Sequence, residues 1–236
     1  MKRFLYLLLA ALLVLAVSCN KNNKPDPAPK VSEEAVDLGI VMTREDGTTY
    51  RLYWAKSNLS ENGLCANPED YGDYYAWGET EPKSNYSWST YKFGTNSSGP
   101  FSKYEPGSSD ENVNKTVLDP EDDVAYVKLG GQWRMPTDAE WTELRTKCTW
   151  DRTTQNGVNG CLVKSKTNGK SIFLPAAGYR LDADLLDAGS NGDYWSSSLN
   201  TEYPYVAWCV YFESDTVNEY GADRYLGYSV RPVWEE

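Results

Sequence analysis

Tyr205-Val206-Ala207-Trp208-Cys209-Val210-Tyr211-Phe212 sets Val206, Trp208, Val210 and Phe212 on one side of an extended chain and Tyr205, Ala207, Cys209 and Tyr211 on the other. Successive strand side chains point to opposite faces, so a run that is apolar on both belongs in the middle of a sheet covered on both sides. The segment is therefore a central buried strand, and the sequence around it extends the β reading. Upstream, Tyr50-Arg51-Leu52-Tyr53-Trp54-Ala55 follows the turn-forming Glu45-Asp46-Gly47 and reads as the first clearly patterned strand of the domain. Asn156-Gly157, Asn159-Gly160 and Asn168-Gly169 divide the stretch from Cys148 to Pro175 into the antiparallel strands of a meander. Downstream, Tyr225 to Trp234 closes the fold. Pro232, lacking a backbone donor, is expected at a strand end or a sheet edge.

One helix has a visible start. Thr137-Asp138-Ala139-Glu140 is a capping box, with the threonine as N-cap and Glu140 at the third helical position, where its charge also suits the helix amino terminus. Trp141, Leu144 and Cys148 form an apolar stripe at spacings of three and four, so a short amphipathic helix ends near Lys147. Tyr71 to Glu79 is aromatic but broken by glycine, a short strand or an ordered loop. From Lys83 to Val117 no period is sustained, and irregular excursions of that length in a domain are usually functional or mobile.

The amino-terminal region reads as an address. Lys2 and Arg3 precede the apolar run Phe4 to Val17, which is shorter than the ~20 residues a spanning helix needs. Ser18-Cys19 closes it, and the polar, proline-containing residues that follow have too few apolar side chains to form a core. Leu15-Ala16-Val17-Ser18-Cys19 resembles a lipobox, which implies cleavage before Cys19 and acylation of its thiol and new amino terminus. The expected organisation is a lipoprotein signal over 1–18, lipidated Cys19 and a flexible tether over 19–33, and one domain over 34–236. The membrane partner is then lipid, through Cys19, at the outer membrane; which side the protein faces stays open. Removing residues 1–18 takes two of 23 basic side chains and none of 34 acidic ones, leaving a net charge of −13. Such a field repels nucleic acid and anionic head groups alike.

Chemistry is sparse. The chain has no histidine, which removes the commonest general base and the usual zinc sites. No glycine-rich loop joins a strand to a helix to cradle phosphate. A non-catalytic protein without a resident cofactor is expected. Two segments carry a ligand hypothesis: Asp73, Tyr74, Trp77 and Glu79 in the first, Asp193, Tyr194 and Trp195 in the second. Each combines oxygen ligands with aromatic faces, which suits a sugar or Ca²⁺; alternatively the aspartates cap turns and the aromatics are core. Cys65, Cys148, Cys161 and Cys209 permit two disulfides in an exported chain. Cys148–Cys161 is the leading pair if the intervening loop is wide. A tight Asn156-Gly157 turn instead sets Cys148 opposite Ser165 and Cys161 opposite Arg152.

Five separated motifs, Tyr71 to Glu79, Gly131 to Trp141, Ile172 to Arg180, Gly192 to Ser198 and Gly227 to Val233, together resemble the Fibrobacter succinogenes major paralogous domain family, abundant in Bacteroidetes lipoproteins. The resemblance implies an α+β, C-type-lectin-like fold with twisted antiparallel sheets, terminal strands that pair, one or two helices and long irregular loops. Glu79-Thr80-Glu81-Pro82-Lys83 lacks the Glu-Pro-Asn run of calcium-dependent lectins, so lectin activity does not follow. The expected function is a cell-envelope binding or adhesion module for a glycan or for an envelope or host protein. A carboxylate-based glycan-active enzyme and a structural subunit of an envelope assembly are the alternatives. Cys19→Ser is expected to abolish acylation and move the protein out of the detergent phase; unchanged partition would reject the lipoprotein assignment.

Overall fold

Asn156 and Gly157, at φ of 50° and 85°, form the two-residue turn whose positive angles match the twist of the strands they join. Those strands are β6 (Cys148–Gln155) and β7 (Val158–Ser165), paired from Gln155 opposite Val158 to Cys148 opposite Ser165. After a turn through Asn168-Gly169, β8 (Ser171–Pro175) completes a three-stranded meander. The third pair, Asn159-Gly160, is not a turn but part of β7. Gly160 is needed there for space, since a Cβ would run into the Leu174 carbonyl oxygen and the Phe173 ring.

This is a computed structural model that describes residues 30–214 and 216–236; the expected signal 1–18, Cys19 and the tether as far as residue 29 lie outside the described residues. From Val31 onward the chain forms one compact unit. The meander corrects the expected Cys148–Cys161 disulfide. With the tight turn in place Cys161 faces Arg152, and Cys65, Cys148, Cys161 and Cys209 are all free thiols. Burial pushes the Cys148 and Cys161 thiols up to about 11, and both fill the core as small apolar side chains.

The two-sided strand is β12 (Val206–Glu213), and it runs between β11 (Asn191–Leu199) and β13 (Thr216–Asp223). Val210 and Phe212 enter a core shared with Leu38, Trp54, Trp141 and Val163, whereas Ala207 and Cys209 enter a second core with Trp77, Tyr86, Tyr104 and Trp195. The sheet thus lies between two hydrophobic cores, as a strand apolar on both faces requires.

A four-stranded sheet carries both chain ends of the unit, in the order β1 (Ala35–Thr43), β2 (Thr49–Ala55), β14 (Val233–Glu235) and β5 (Trp133–Arg134). The terminal strands share this sheet without pairing to each other, because β2 lies between them. Pro232 sits just before β14, at a strand end but not a sheet edge, and its carbonyl accepts from Ala55 N–H at 2.9 Å. Two short hairpins complete the strands: β3 (Leu59–Ser60) with β4 (Gly63–Leu64), and β9 (Tyr179–Leu181) with β10 (Asp184–Leu186). The architecture among the described residues is α+β, dominated by antiparallel sheets, with two α-helices.

Helix α1 (Val124–Leu129), which the sequence pattern does not place, is capped by Asp123, whose Oδ1 accepts from the N–H groups of Ala125 and Tyr126. Helix α2 (Asp138–Lys147) carries the expected capping box. Its Glu140 does more than cap: buried, it takes both Arg134 Nη atoms at 2.7 and 2.5 Å and the Tyr50 hydroxyl at 2.8 Å, joining α2 to β5 and β2.

The excursion from residue 83 to 117 is irregular apart from one 3-10 turn at Trp88–Thr90, yet Tyr86, Tyr91, Phe93, Phe101 and Tyr104 within it are buried. Its fastener is Arg224, fully buried, with its guanidinium carbon 4.5 Å from the Phe101 ring centroid and 5.0 Å from that of Trp77. It donates to the Tyr91 hydroxyl at 2.9 Å and to the carbonyls of Tyr104, Pro204 and Lys103 at 3.2, 2.9 and 3.1 Å. Arg224→Met leaves those acceptors without donors, each costing ~1–3 kcal/mol where water cannot replace it. We expect a loss of about 3 kcal/mol in urea unfolding and new proteolytic cleavage between residues 83 and 117. A loss below about 1 kcal/mol with unchanged cleavage would show that the aromatic packing alone fixes the loop.

Candidate ligand-binding cavity

Strand alternation puts Asn191 and Asp193 of β11, Tyr211 of β12, and Asn218 and Tyr220 of β13 on one face, with Asp193, Tyr211 and Asn218 in a single cross-strand row. A strap of residues 225–230 lies along β11, with Ser229 N–H on the Asp193 carbonyl and Trp195 N–H on the Ser229 carbonyl, both at 3.1 Å. It brings Leu226 and Tyr228 over the face, and Tyr179 of β9 and Asp187 complete the wall of an open cavity of about 450 Å³.

Aromatic packing fixes that wall. Tyr228 stacks on Trp195 with centroids 4.4 Å apart, and its hydroxyl meets that of Tyr220 at 2.6 Å. Tyr211 and Tyr179 pack edge-on against Tyr220 and Tyr228 respectively. Burial pushes the Tyr220 and Tyr228 phenols up, so both stay neutral hydrogen-bonding groups.

Asp193 is 1% exposed. Its Oδ1 accepts from the Tyr220 hydroxyl at 3.2 Å, while Oδ2 is buried with no hydrogen-bond partner. Burial pushes its carboxyl up to about 7; the Tyr220 hydrogen bond works against the shift, and the charges of Asp187 and Glu213 add to it. Two carboxylates line the cavity, and no lysine or arginine among the described residues does.

Of the residues expected to contact ligand, Asp193 alone lines this cavity. Tyr74, Trp77, Tyr194 and Trp195 are buried, and each spends its polar atom on a backbone carbonyl, of Ala177, Ser196, Pro175 and Tyr75 in turn. They are core, the alternative that the sequence allows, and not stacking platforms. Asp73 accepts from Glu61 N–H at 2.7 Å as a turn cap, and Glu79 pairs with Lys83 and accepts from Lys92 N–H at 2.8 Å. The two suspected segments nevertheless meet at the strap: Tyr75 bridges to Tyr228 on one side of it, and Tyr194 to Ser229 on the other. The walls Tyr179, Tyr211, Tyr220 and Tyr228 escaped the sequence reading because four separate segments supply them. The one local signal is the Asn218-to-Tyr220 alternation beside Tyr211.

Ca²⁺ is one ligand that the sequence allows at Asp73 or Asp193, beside the turn-capping role of these aspartates. Among the described residues the carboxylates that converge in a group of three are instead Asp119, Glu121 and Asp122. Lys103 Nζ contacts all three at 2.6 to 3.0 Å. Burial works against the Lys103 charge, but its hydrogen bonds to Asp119, Asp122 and Glu121 outweigh it and hold its pKa above the usual value. An ammonium thus already fills the place a metal would take.

Comparison of the chain with protein-family models, curated proteins and solved structures found no match.

The cavity has a signature in stability. Asp193 holds its proton more tightly folded than unfolded, so the native state loses stability as pH rises from about 4 through 7. Asp193→Asn removes this loss. At ~1.4 kcal/mol per pKa unit the gain over wild type reaches up to about 4 kcal/mol at pH 8 and vanishes near pH 4. Urea titrations at both values test it, and an equal difference at the two pH values would contradict the assignment.

Proposed function

We propose that this chain is an exported, lipid-anchored and non-catalytic binding module of the outer membrane, which takes a polar ligand, a glycan or an exposed side chain of an envelope or host protein, into the tyrosine-walled cavity at Asp193. The observation that carries the reading is the combination of four tyrosines with a dehydrated carboxylate that has an unused acceptor. Aromatic faces supply stacking area and the few polar groups fix orientation, which is the usual division of labour in a small-ligand site. The signal-like residues 1–18, Cys19 and the tether support export and anchoring, and the five-motif resemblance supports a C-type-lectin-like fold in which loops carry recognition. The lack of histidine supports binding rather than turnover.

The second reading, a carboxylate-based glycan-active enzyme, is favoured by one observation: Asp187 and Asp193 line the same cavity, and Asp193 is raised to about 7. Two carboxyl groups facing one cavity are the minimum for glycoside cleavage. Shortened glycan released by the purified protein, and lost in Asp187→Asn, would establish it.

Tyr211 and Asn218 separate binding from folding, since neither is fully buried. Saturable binding on a glycan or matrix-protein array should fall at least tenfold, about 1.4 kcal/mol, in Tyr211→Ala and in Asn218→Ala, with unfolding curves unchanged. Binding that survives both substitutions would move the site elsewhere.

A further inference from the structure

Resting on the reading of this cavity as a binding site, we infer that its ligand presents an organic ammonium group, a protonated amine held among Tyr179, Tyr211, Tyr220 and Tyr228 beside Asp193 and Asp187. The first support is the treatment of buried carboxylates elsewhere in the protein. Glu140 has Arg134 and Tyr50; Asp122 has Lys92, Lys103 and Tyr104; Asp123 has the N–H groups of Ala125, Tyr126 and Met135; Glu69 has the amides of Gln155 and Asn156. Among the buried carboxylates of the described residues, Asp193 alone keeps a fully buried oxygen without a partner, and it lines the tyrosine-walled cavity; Asp123, which lines a second pocket, has both oxygens occupied by backbone N–H groups.

The second support is charge. Asp187 shares the lining, and Glu213 adds to the negative field at Asp193, with no cationic side chain in the wall to offset it. A neutral hydroxyl could donate to Oδ2, but it would leave this field in place, and an anion would worsen it. A cation satisfies the acceptor and the field together, and desolvation strengthens the attraction. The third support is the wall itself, since tyrosine faces attract cations, by ~0.5–2 kcal/mol each according to solvent exposure. The protein uses the same chemistry internally, where Arg224 sits among Trp77, Tyr91, Phe101 and Tyr104 with no carboxylate partner.

The test uses the full-length chain at pH 7.5 and matched probes, with tyrosine ring resonances and calorimetry as readouts. Glucosamine is set against N-acetylglucosamine, and butylammonium against butanol. We expect glucosamine to bind at least tenfold more tightly than its N-acetyl counterpart, and Asp193→Asn to abolish that preference. This variant is expected to be more stable than wild type at this pH, so lost preference would not mean lost fold. Binding of both ammonium probes would show that the charged amine suffices; binding of glucosamine alone would identify an amino sugar. Either supports the inference. Equal binding of charged and neutral probes, or a preference that survives Asp193→Asn, would overturn the inference while leaving the cavity as a binding site. Failure of every probe to shift the cavity tyrosines would overturn both.

Discussion

Two arginines with no carboxylate partner among the described residues hold this protein together. Arg224 and Arg231 are both fully buried, and both direct their N–H groups mainly at backbone carbonyls. A guanidinium removed from water is costly unless its donors are occupied, and a backbone carbonyl in an irregular segment is costly unless it finds a donor. Each need answers the other. Arg231 takes Ala55 O, Lys56 O, Asn58 Oδ1 and Phe173 O, thereby joining the end of β2 to β8. Burial pulls its pKa down to about 10, which still leaves it charged at neutral pH. Arg224 does the same for the long excursion. A fold with many short strands has many carbonyls outside sheet ladders, and five fixed donors on one side chain gather them efficiently.

The acidic charge of the chain is managed by the same kind of pairing. Lys103 offers its carbonyl to Arg224 and its ammonium to Asp119, Glu121 and Asp122, so a single residue ties the excursion both to the core and to the segment that leads into α1. At the far end Arg134 bridges Glu140 and Glu235, binding α2 to the last strand. Each set contains one buried carboxylate, Asp122 in the first and Glu140 in the second, and taking a cation from a buried carboxylate costs more than the net energy of the pair suggests.

What the sequence discloses follows from the range of each interaction. The Asn156-Gly157 turn and its register, the Thr137–Glu140 capping box and the two-sided strand at Val206 to Phe212 each depend on neighbours a few residues away, and each stands where its pattern places it. Asn159-Gly160 misleads because the same dipeptide that makes a turn also permits a close approach, and the Phe173 ring that makes the approach lies in another strand. Tyr74, Trp77, Tyr194 and Trp195 read in the sequence either as ligand platforms or as core, and only their tertiary contacts make them core. Asp193 was legible as a polar residue in an aromatic strand. Its surroundings were not, because Tyr179, Tyr211, Tyr220 and Tyr228 converge only through the β11–β12–β13 register and the strap.

The strap also explains why the Asp193 carboxyl does not escape to water. Ser229 donates to the Asp193 carbonyl and accepts from Trp195 N–H, which fixes β11 on either side of the aspartate, while Tyr228 stacks on Trp195 and meets Tyr220. Turning the acid outward would break this bridge and unstack the ring. Other buried polar atoms lack partners too; among them, Trp54 Nε1, Tyr75 Oη and Ser229 Oγ belong to neutral groups whose cost is ~1–3 kcal/mol, and Arg152 Nη1 belongs to a guanidinium that donates through Nη2 to the Ser190 carbonyl and lies over the Phe212 ring. A carboxyl oxygen in the same condition requires the group to give up its charge or find a cation, and in its other buried acids the described chain leaves no fully buried oxygen without a donor. The exception coincides with a cavity wide enough to admit a small molecule. A packing defect carries no reason for that coincidence, whereas a site whose missing partner arrives with the ligand requires it.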